Sequence, residues 1–218
     1  SDICFVTEPS GKENLEKENI AANIEYVGNT MIDTLVYFGP QIEASAVLET
    51  YGVEKNNYHL LTFHRPSNVD SKEELQVLIE IINAVAKFGK MVLPLHPRTR
   101  NKLNDFGLLV ELEKMNELIL TEPIGYFEFQ KLIKYAKVVL TDSGGIQEET
   151  TFRQVPCLTL RENTERPVTI TKGTNTLVEI NSEAVREQLT LIYNGKYKTG
   201  QVPHLWDGNA TERILKSL

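Results

Sequence analysis

The sequence predicts an α/β protein built on a doubly wound parallel sheet, and three observations predict it. Short β-branched runs alternate with segments of helical period along most of the chain, and strands separated by helical crossovers make a parallel sheet covered on both faces. Polar or glycine-bearing residues follow several of those runs directly, as His64, His96 and Ser143 do. The composition, 41% hydrophobic and 24% charged, is that of an ordinary globular protein.

Taken in order, residues 3–7 read as a short strand. A turn at Pro9-Ser10-Gly11 leads to a helix over 12–19, and residues 24–27 read as a second strand. Residues 30 to about 48 are helical, interrupted at Gly39-Pro40 because proline ends or kinks a helix. Two strands with their helices have too few partners for a core of their own. Residues 1–54 are therefore expected to be the tail of another domain and its connection to this one.

From residue 58 the alternation is regular. A buried strand over 58–63 precedes the cap candidates Asp70 and Ser71. Leu75, Leu78, Ile79, Ile82 and Val85 then share one face of a helix that stops at Gly89. Strands follow at 91–95, 118–121, 138–141, 157–160 and 176–180. Helices are expected over 99–115 with a break near Gly107, and over 126–136, 145–153 and 182–193. One α/β domain over 55–200 and a C-terminal helical segment over 201–218 complete the expectation.

Several function classes fall away. No apolar run approaches the roughly 18 residues a membrane span needs, and no signal-peptide pattern is present. Two cysteines, Cys4 and Cys157, cannot make a disulfide framework and suit a reducing cytoplasm. A net charge of −7 argues against a nucleic-acid partner. No metal-ligand spacing occurs, and no G-x-G-x-x-G follows a strand, so neither a metal nor a nicotinamide cofactor is indicated. At 218 residues the chain is about one and a half typical domains. Its first methionine is Met31, and the expectation is a piece of something longer.

The segment from Val138 to Glu149 carries the most chemical information. A strand runs through Asp142 and Ser143 into Gly144-Gly145, which opens a helix. Paired glycines let a ligand approach the backbone, and the N–H groups and dipole of a helix N-terminus favour an anion such as a diphosphate. Ser143 is either an added donor or simply the N-cap. Asp142-Ser143-Gly144-Gly145 also resembles the nucleophile segment of chymotrypsin-like proteases, but those are all-β and disulfide-bonded. His64, His96 and Ser143 each follow a strand, where an open α/β sheet binds its ligands. His64 is the candidate for donating to phosphate or moving a proton, while His59 and His204 are expected to be structural. Arg166 could fork onto a phosphate or merely pair with Glu165 or Glu162 at the surface. Phe129, in the first turn of its helix, could stack on a base or belong to the core.

These segments together resemble the non-hydrolysing UDP-N-acetylglucosamine 2-epimerases, of the glycosyltransferase-B-like fold. The matching stretches are Gly28-Asn29-Thr30, Thr62-Phe63-His64-Arg65, Pro94-Leu95-His96-Pro97, Leu140 through Glu149, Thr164-Glu165-Arg166-Pro167, Gly173-Thr174 and Asp207-Gly208-Asn209-Ala210. The resemblance implies the C-terminal half of a pair of Rossmann-like domains, with a UDP-sugar in the cleft. It implies that Ser143, Gly144 and Gly145 hold the diphosphate and that Glu149 accepts from the ribose. Phe129 would pack on the uracil, and His64 (the catalytic candidate), Arg65, His96 and Arg166 would lie near the substrate. The implied reaction eliminates UDP and adds it back with C2 inverted, without metal or other cofactor, in a homodimer when full length. The carboxylates that would move the C2 proton belong to an N-terminal half, so this chain alone is expected to be inactive. Ser67 stands where the family commonly has glutamate, and Val168-Thr169 stand where it often has Glu-Ala, which bears on the sugar more than on UDP. A nucleotide-sugar-binding module and a glycosyltransferase of the same fold are the alternatives.

Overall fold

The computed structural model describes every residue from Ser1 to Leu218. At the N-terminus β1 (Ile3–Val6), α1 (Pro9–Lys17) and β2 (Asn23–Tyr26) form a small parallel βαβ unit, with Ile3 opposite Asn23 and Val6 opposite Tyr26. Here the expected turn at Pro9-Ser10-Gly11 is corrected: those residues are the first turn of α1. Proline is suited to that position because its missing N–H would have had no partner there. The helical stretch that follows is broken into α2 (Thr30–Tyr37), α3 (Gly39–Ala44) and α4 (Val47–Thr50).

The remaining strands form one six-stranded, wholly parallel sheet. In chain order come β3 (His59–Thr62), α5 (Pro66–Val69), α6 (Lys72–Ala86), β4 (Met91–Pro94), α7 (Pro97–Asp105), α8 (Leu109–Glu113) and β5 (Leu118–Thr121). They continue with α9 (Tyr126–Tyr135), β6 (Val138–Thr141), α10 (Gly144–Arg153), β7 (Cys157–Leu160), α11 (Pro167–Thr171), β8 (Asn175–Val178), α12 (Ser182–Tyr193) and α13 (Ala210–Ser217). The spatial order is β5-β4-β3-β6-β7-β8. It is the doubly wound order, and its direction of winding reverses between β3 and β6. A crevice opens at such a point outside the carboxyl ends of the strands. The short helices α5 and α11 were not visible in the pattern; each begins at a proline within a polar loop.

Both faces of the sheet are covered, so its strands read as nearly continuous apolar runs. Leu61, Leu93, Val138, Leu140 and Leu158 point into one core with Leu75, Ile82, Val185 and Leu189 of α6 and α12. Leu60, Val92 and Val139 point the other way, against Leu132, Ile133 and Ile146 of α9 and α10. Val47, Leu48 and Val53 join this second core, so its packing begins upstream of residue 55. Ser71 caps α6 in a reciprocal box: the Glu74 amide donates to Ser71 Oγ at 3.2 Å, and the Ser71 amide donates to Glu74 Oε2 at 2.9 Å.

The last residues turn back to the first. Residues 201–209 are irregular and only Ala210–Ser217 is helical, because the segment is held by side chains. Trp206 is buried among Ile32, Leu35, Ile42 and Val168, and its indole donates to the Thr7 carbonyl at 2.9 Å. The Asp33 carboxylate accepts from the Ala210 and Thr211 amides, capping α13. Gly28, at φ +90°, lies so close to Leu205 that a Cβ would come 2.1 Å from its carbonyl oxygen. No helix is long and apolar enough to cross a membrane.

Candidate functional site

At the carboxyl ends of β3 and β6, a cavity of 430 Å³ opens at the reversal point. His64, His96, Phe129 and Ser143 all line it, with Pro94, Leu95, Pro97 and Ile124 supplying apolar wall. The three strand-end residues expected to share a site therefore face one space. The ring centroids of His64 and His96 are 5.5 Å apart. His96 Nδ1 accepts the Arg98 amide at 3.2 Å, so this histidine also caps α7.

Beneath the cavity lies Asp142, completely buried. Its Oδ2 accepts the backbone amides of His64 and Arg65, both at 2.9 Å, and the Asn68 side chain at 3.2 Å. Its Oδ1 lies 2.9 Å from His64 Nδ1. Burial alone would raise the Asp142 pKa, but His64 and the two amides outweigh it and hold the carboxyl below its ordinary range. The Asp142 carboxylate correspondingly raises the pKa of His64, against partial burial and the charge of Arg65. Thr62 and Thr141 link the two strand ends through their hydroxyls at 2.7 Å, and Thr141 Oγ1 also accepts the Ser143 amide.

The N-terminus of α10 is uncapped. Ser143 occupies the N-cap position but its hydroxyl makes no capping bond, which corrects the bland expectation for this residue. The first amides of α10 thus remain available to an anion. A Cβ on Gly144 would rest 3.7 Å from the Arg166 guanidinium carbon, and one on Gly145 would come 3.1 Å from Met31 Cε. Gly144 thus keeps the approach between the helix end and Arg166 open, while Gly145 lets Met31 pack close to the helix.

Arg166 does not form the surface pair expected with Glu162, and its contact with Glu165 is a distant 4.0 Å. Its Nε instead lies 3.1 Å from Oε2 of the buried Glu148. Glu148 Oε1 accepts the Asn29 side chain at 3.0 Å. Burial raises the pKa of Glu148 despite Arg166 and Asn29. Glu8 is also buried, accepts the Val168 amide at 3.0 Å, and is likewise raised by burial. Glu165 belongs mainly to Arg161, which grips it at 2.7 and 2.9 Å and holds its pKa down at about 2. Arg65 Nη2 stands 3.8 Å from the same carboxylate. Thr164 positions the loop before α11: its hydroxyl donates to Gln147 Oε1 at 2.6 Å and accepts the Arg166 amide at 3.0 Å.

Glu149 does not line the cavity. It is buried toward Gln130 and Arg153, and burial pushes its pKa up to about 7. His204 serves the fold through its backbone carbonyl, which accepts the Tyr26 hydroxyl. The sequence reading missed the roles of Asp142, Asn68, Glu148, Asn29 and Glu8. Asp142 lay within the segment singled out, at the end of an apolar strand, but its role depends on His64, Arg65 and Asn68 brought to it from the other side of the reversal. The others depend on partners from distant elements.

A family model described as UDP-N-acetylglucosamine 2-epimerase matches residues 1–218. The chain belongs to that family. A UDP-N-acetylglucosamine 2-epimerase of Methanocaldococcus jannaschii is 37% identical over all of this chain, which covers 61% of that protein. A UDP-2,3-diacetamido-2,3-dideoxy-D-glucuronate 2-epimerase of Pseudomonas aeruginosa is 35% identical over 82% of the chain and 49% of its own length. Among solved structures, the Methanocaldococcus jannaschii UDP-GlcNAc 2-epimerase in complex with UDP-GlcNAc and UDP aligns with a TM-score of 0.87 at 35% identity, covering 100% of this chain and 62% of that one. The chain thus spans about half to three fifths of the length of these relatives.

Proposed function

We propose that this chain is the UDP-binding part of a UDP-N-acetylglucosamine 2-epimerase, interconverting UDP-GlcNAc and UDP-ManNAc by elimination and re-addition of UDP. The observation that carries the reading is the uncapped N-terminus of α10 facing Arg166 beside an aromatic-walled cavity. A departing diphosphate gains negative charge in the transition state, and oriented amides with a fixed cation stabilise that charge. Ser143, Gly144, Gly145 and Arg166 would meet the diphosphate and Phe129 the uracil, while the ribose role of Glu149, which is buried toward Gln130 and Arg153, rests on the family resemblance. His64, oriented by Asp142 and with its pKa raised by that carboxylate, would face the phosphates or the sugar, with Arg65 and His96 alongside. Family membership supports the reaction class; the acid and base acting at C2 would come from the rest of the family's length. A homodimer for the full-length protein rests on the resemblance alone. A cytoplasmic setting is favoured by the unpaired thiols of Cys4 and Cys157.

Calorimetric titration with UDP tests the reading: binding without turnover is expected. Arg166→Ala is expected to weaken it by about 1–3 kcal/mol, the scale of a charged hydrogen bond. No UDP affinity here, and none once the remaining family length is restored, would end the reading. A second reading keeps the UDP site but changes the sugar, and the likeness to the diacetamidoglucuronate 2-epimerase favours it. Ser67 and Val168 are where such a difference would be sought, and turnover of the two UDP-sugars by the full-length protein separates the readings.

A further inference from the structure

We propose that Asp142 is a positioning residue, which holds His64 with its proton on Nδ1 and presents the opposite ring nitrogen, Nε2, to the nucleotide. The proposal rests on the UDP-site reading for its ligand, though not for its geometry. Asp142 is unusual in using one buried carboxylate to tie together the two strands on either side of the winding reversal. Through Oδ2 it fixes the backbone from which His64 projects, by way of the His64 and Arg65 amides. Through Oδ1 it meets the imidazole itself at 2.9 Å. Asp142 Oδ1 makes no well-directed hydrogen bond, yet two lone pairs 2.9 Å apart would repel, so the ring nitrogen beside the carboxylate carries the hydrogen. In a neutral imidazole the other nitrogen is then the acceptor, and in the cation both nitrogens donate.

Asn68 supports the arrangement from behind. Its amide reaches Asp142 Oδ2 at 3.2 Å and the Leu160 carbonyl at 3.4 Å, and its own oxygen accepts the Ser67 hydroxyl at 3.2 Å. Asn68 and Asp142 are both buried, so water does not compete for these contacts. The charged and titratable groups around His64 are few. Asp142 approaches from the end of β6, His96 from the start of α7, and Arg65 from the same loop, with Glu165 behind Arg65. Arg65 opposes a positive His64, and only Asp142 touches the ring with the charge to favour one. The nucleotide thus meets an imidazole whose hydrogen, orientation and charge are set by a residue it does not touch.

The test reads the ring itself. Long-range proton–nitrogen NMR of the chain without nucleotide is expected to show the His64 hydrogen on Nδ1 at high pH, and a titration midpoint above that of a free imidazole. Asp142→Asn keeps an oxygen for the two backbone amides but turns an NH2 group toward the ring. It is expected to lower the midpoint by about 1 pH unit or more and to move the remaining hydrogen to Nε2. UDP titrations across the same pH range are expected to lose affinity as His64 deprotonates. In the variant that loss falls at lower pH, leaving UDP up to about tenfold weaker between the two midpoints. Hydrogen on Nε2 in the unmutated protein overturns the proposal even if Asp142→Asn does not fold. Equal midpoints in the two proteins overturn it as well. If the unmutated chain binds no UDP at any pH, the nucleotide reading fails instead, and the ring spectra still decide what Asp142 does.

Discussion

His59 and His64 stand at the two ends of strand β3, and their surroundings drive them in opposite directions. His59, at the amino end, is wholly buried: Nδ1 donates to the Lys90 carbonyl at 3.1 Å, and Nε2 lies 2.9 Å from the Tyr193 hydroxyl. Neither partner carries a negative charge. Burial therefore dominates and pushes its pKa down to about 4, with the charge of Lys137 adding to the effect. His64, at the carboxyl end, is partly open to the cavity, and the Asp142 carboxylate raises its pKa. Two histidines five positions apart thus become a neutral structural group and a cation-prone site group. The difference is the end of the sheet each occupies. At the carboxyl ends, loops converge with polar groups and a helix N-terminus; at the amino end, β3 is closed over by Lys90 and the last turn of α12.

The largest expected effect comes from removing the group that makes His64 different. Asp142→Ala leaves the His64 and Arg65 amides and the Asn68 side chain without their acceptor. Each buried donor left without a partner costs about 1–3 kcal/mol, and urea unfolding at neutral pH measures the combined loss. A loss under 1 kcal/mol would mean that water replaces the carboxylate and that this end of the sheet is no more polar than the other.

Acid unfolding sharpens the contrast, because the two histidines contribute with opposite sign. His59 has a folded pKa of about 4 against about 6.5 unfolded. Its neutral form stabilises the fold fully above the unfolded value, and that stability is lost as pH falls from 6.5 toward 4. The full amount is about 3 kcal/mol by the linkage relation. His64 is raised, so its contribution is complete below pH ~6.5 and is lost as pH rises through its folded pKa. Replacing His59 with phenylalanine is expected to flatten the acid side of the stability curve and leave UDP affinity unchanged. An unchanged acid slope would show that the carboxylates, not His59, set it.

Much of this was legible in the sequence. Strands β5, β6 and β7 and helix α12 lie at the predicted bounds because their apolar runs answer only to local pattern and two-faced burial. The site segments after β3, β4 and β6 were legible because position at a strand end carries meaning in this fold class. What was not legible depends on residues far apart in the chain. Glu148 reads as one more polar residue on a helix until Arg166 and Asn29 are brought to it. Glu8 reads as a surface residue before α1, yet it caps α11 across 160 positions. Arg166 was legible as a cation but not as one held by a buried carboxylate. Ser143 carried a correct N-cap signal without the capping bond, since the Thr141 hydroxyl accepts its amide and turns the loop.

The smallest expected effect concerns the amino end alone. The Tyr193 hydroxyl lies between His59 Nε2 at 2.9 Å and the Phe88 carbonyl at 2.8 Å, with one hydrogen to give to either. Tyr193→Phe removes that hydroxyl and leaves the ring packed beside Phe88, whose centroid is 5.2 Å away. One neutral hydrogen bond is worth about 1 kcal/mol, and the partly exposed edge of Tyr193 lets water recover some of it. The loss should therefore be about 1 kcal/mol or less in urea unfolding. With no change at the carboxyl end, UDP affinity and the His64 titration midpoint should both stay where they are. A shifted His64 midpoint in this variant would mean that β3 transmits changes along its length, and the two histidines could no longer be treated as independent.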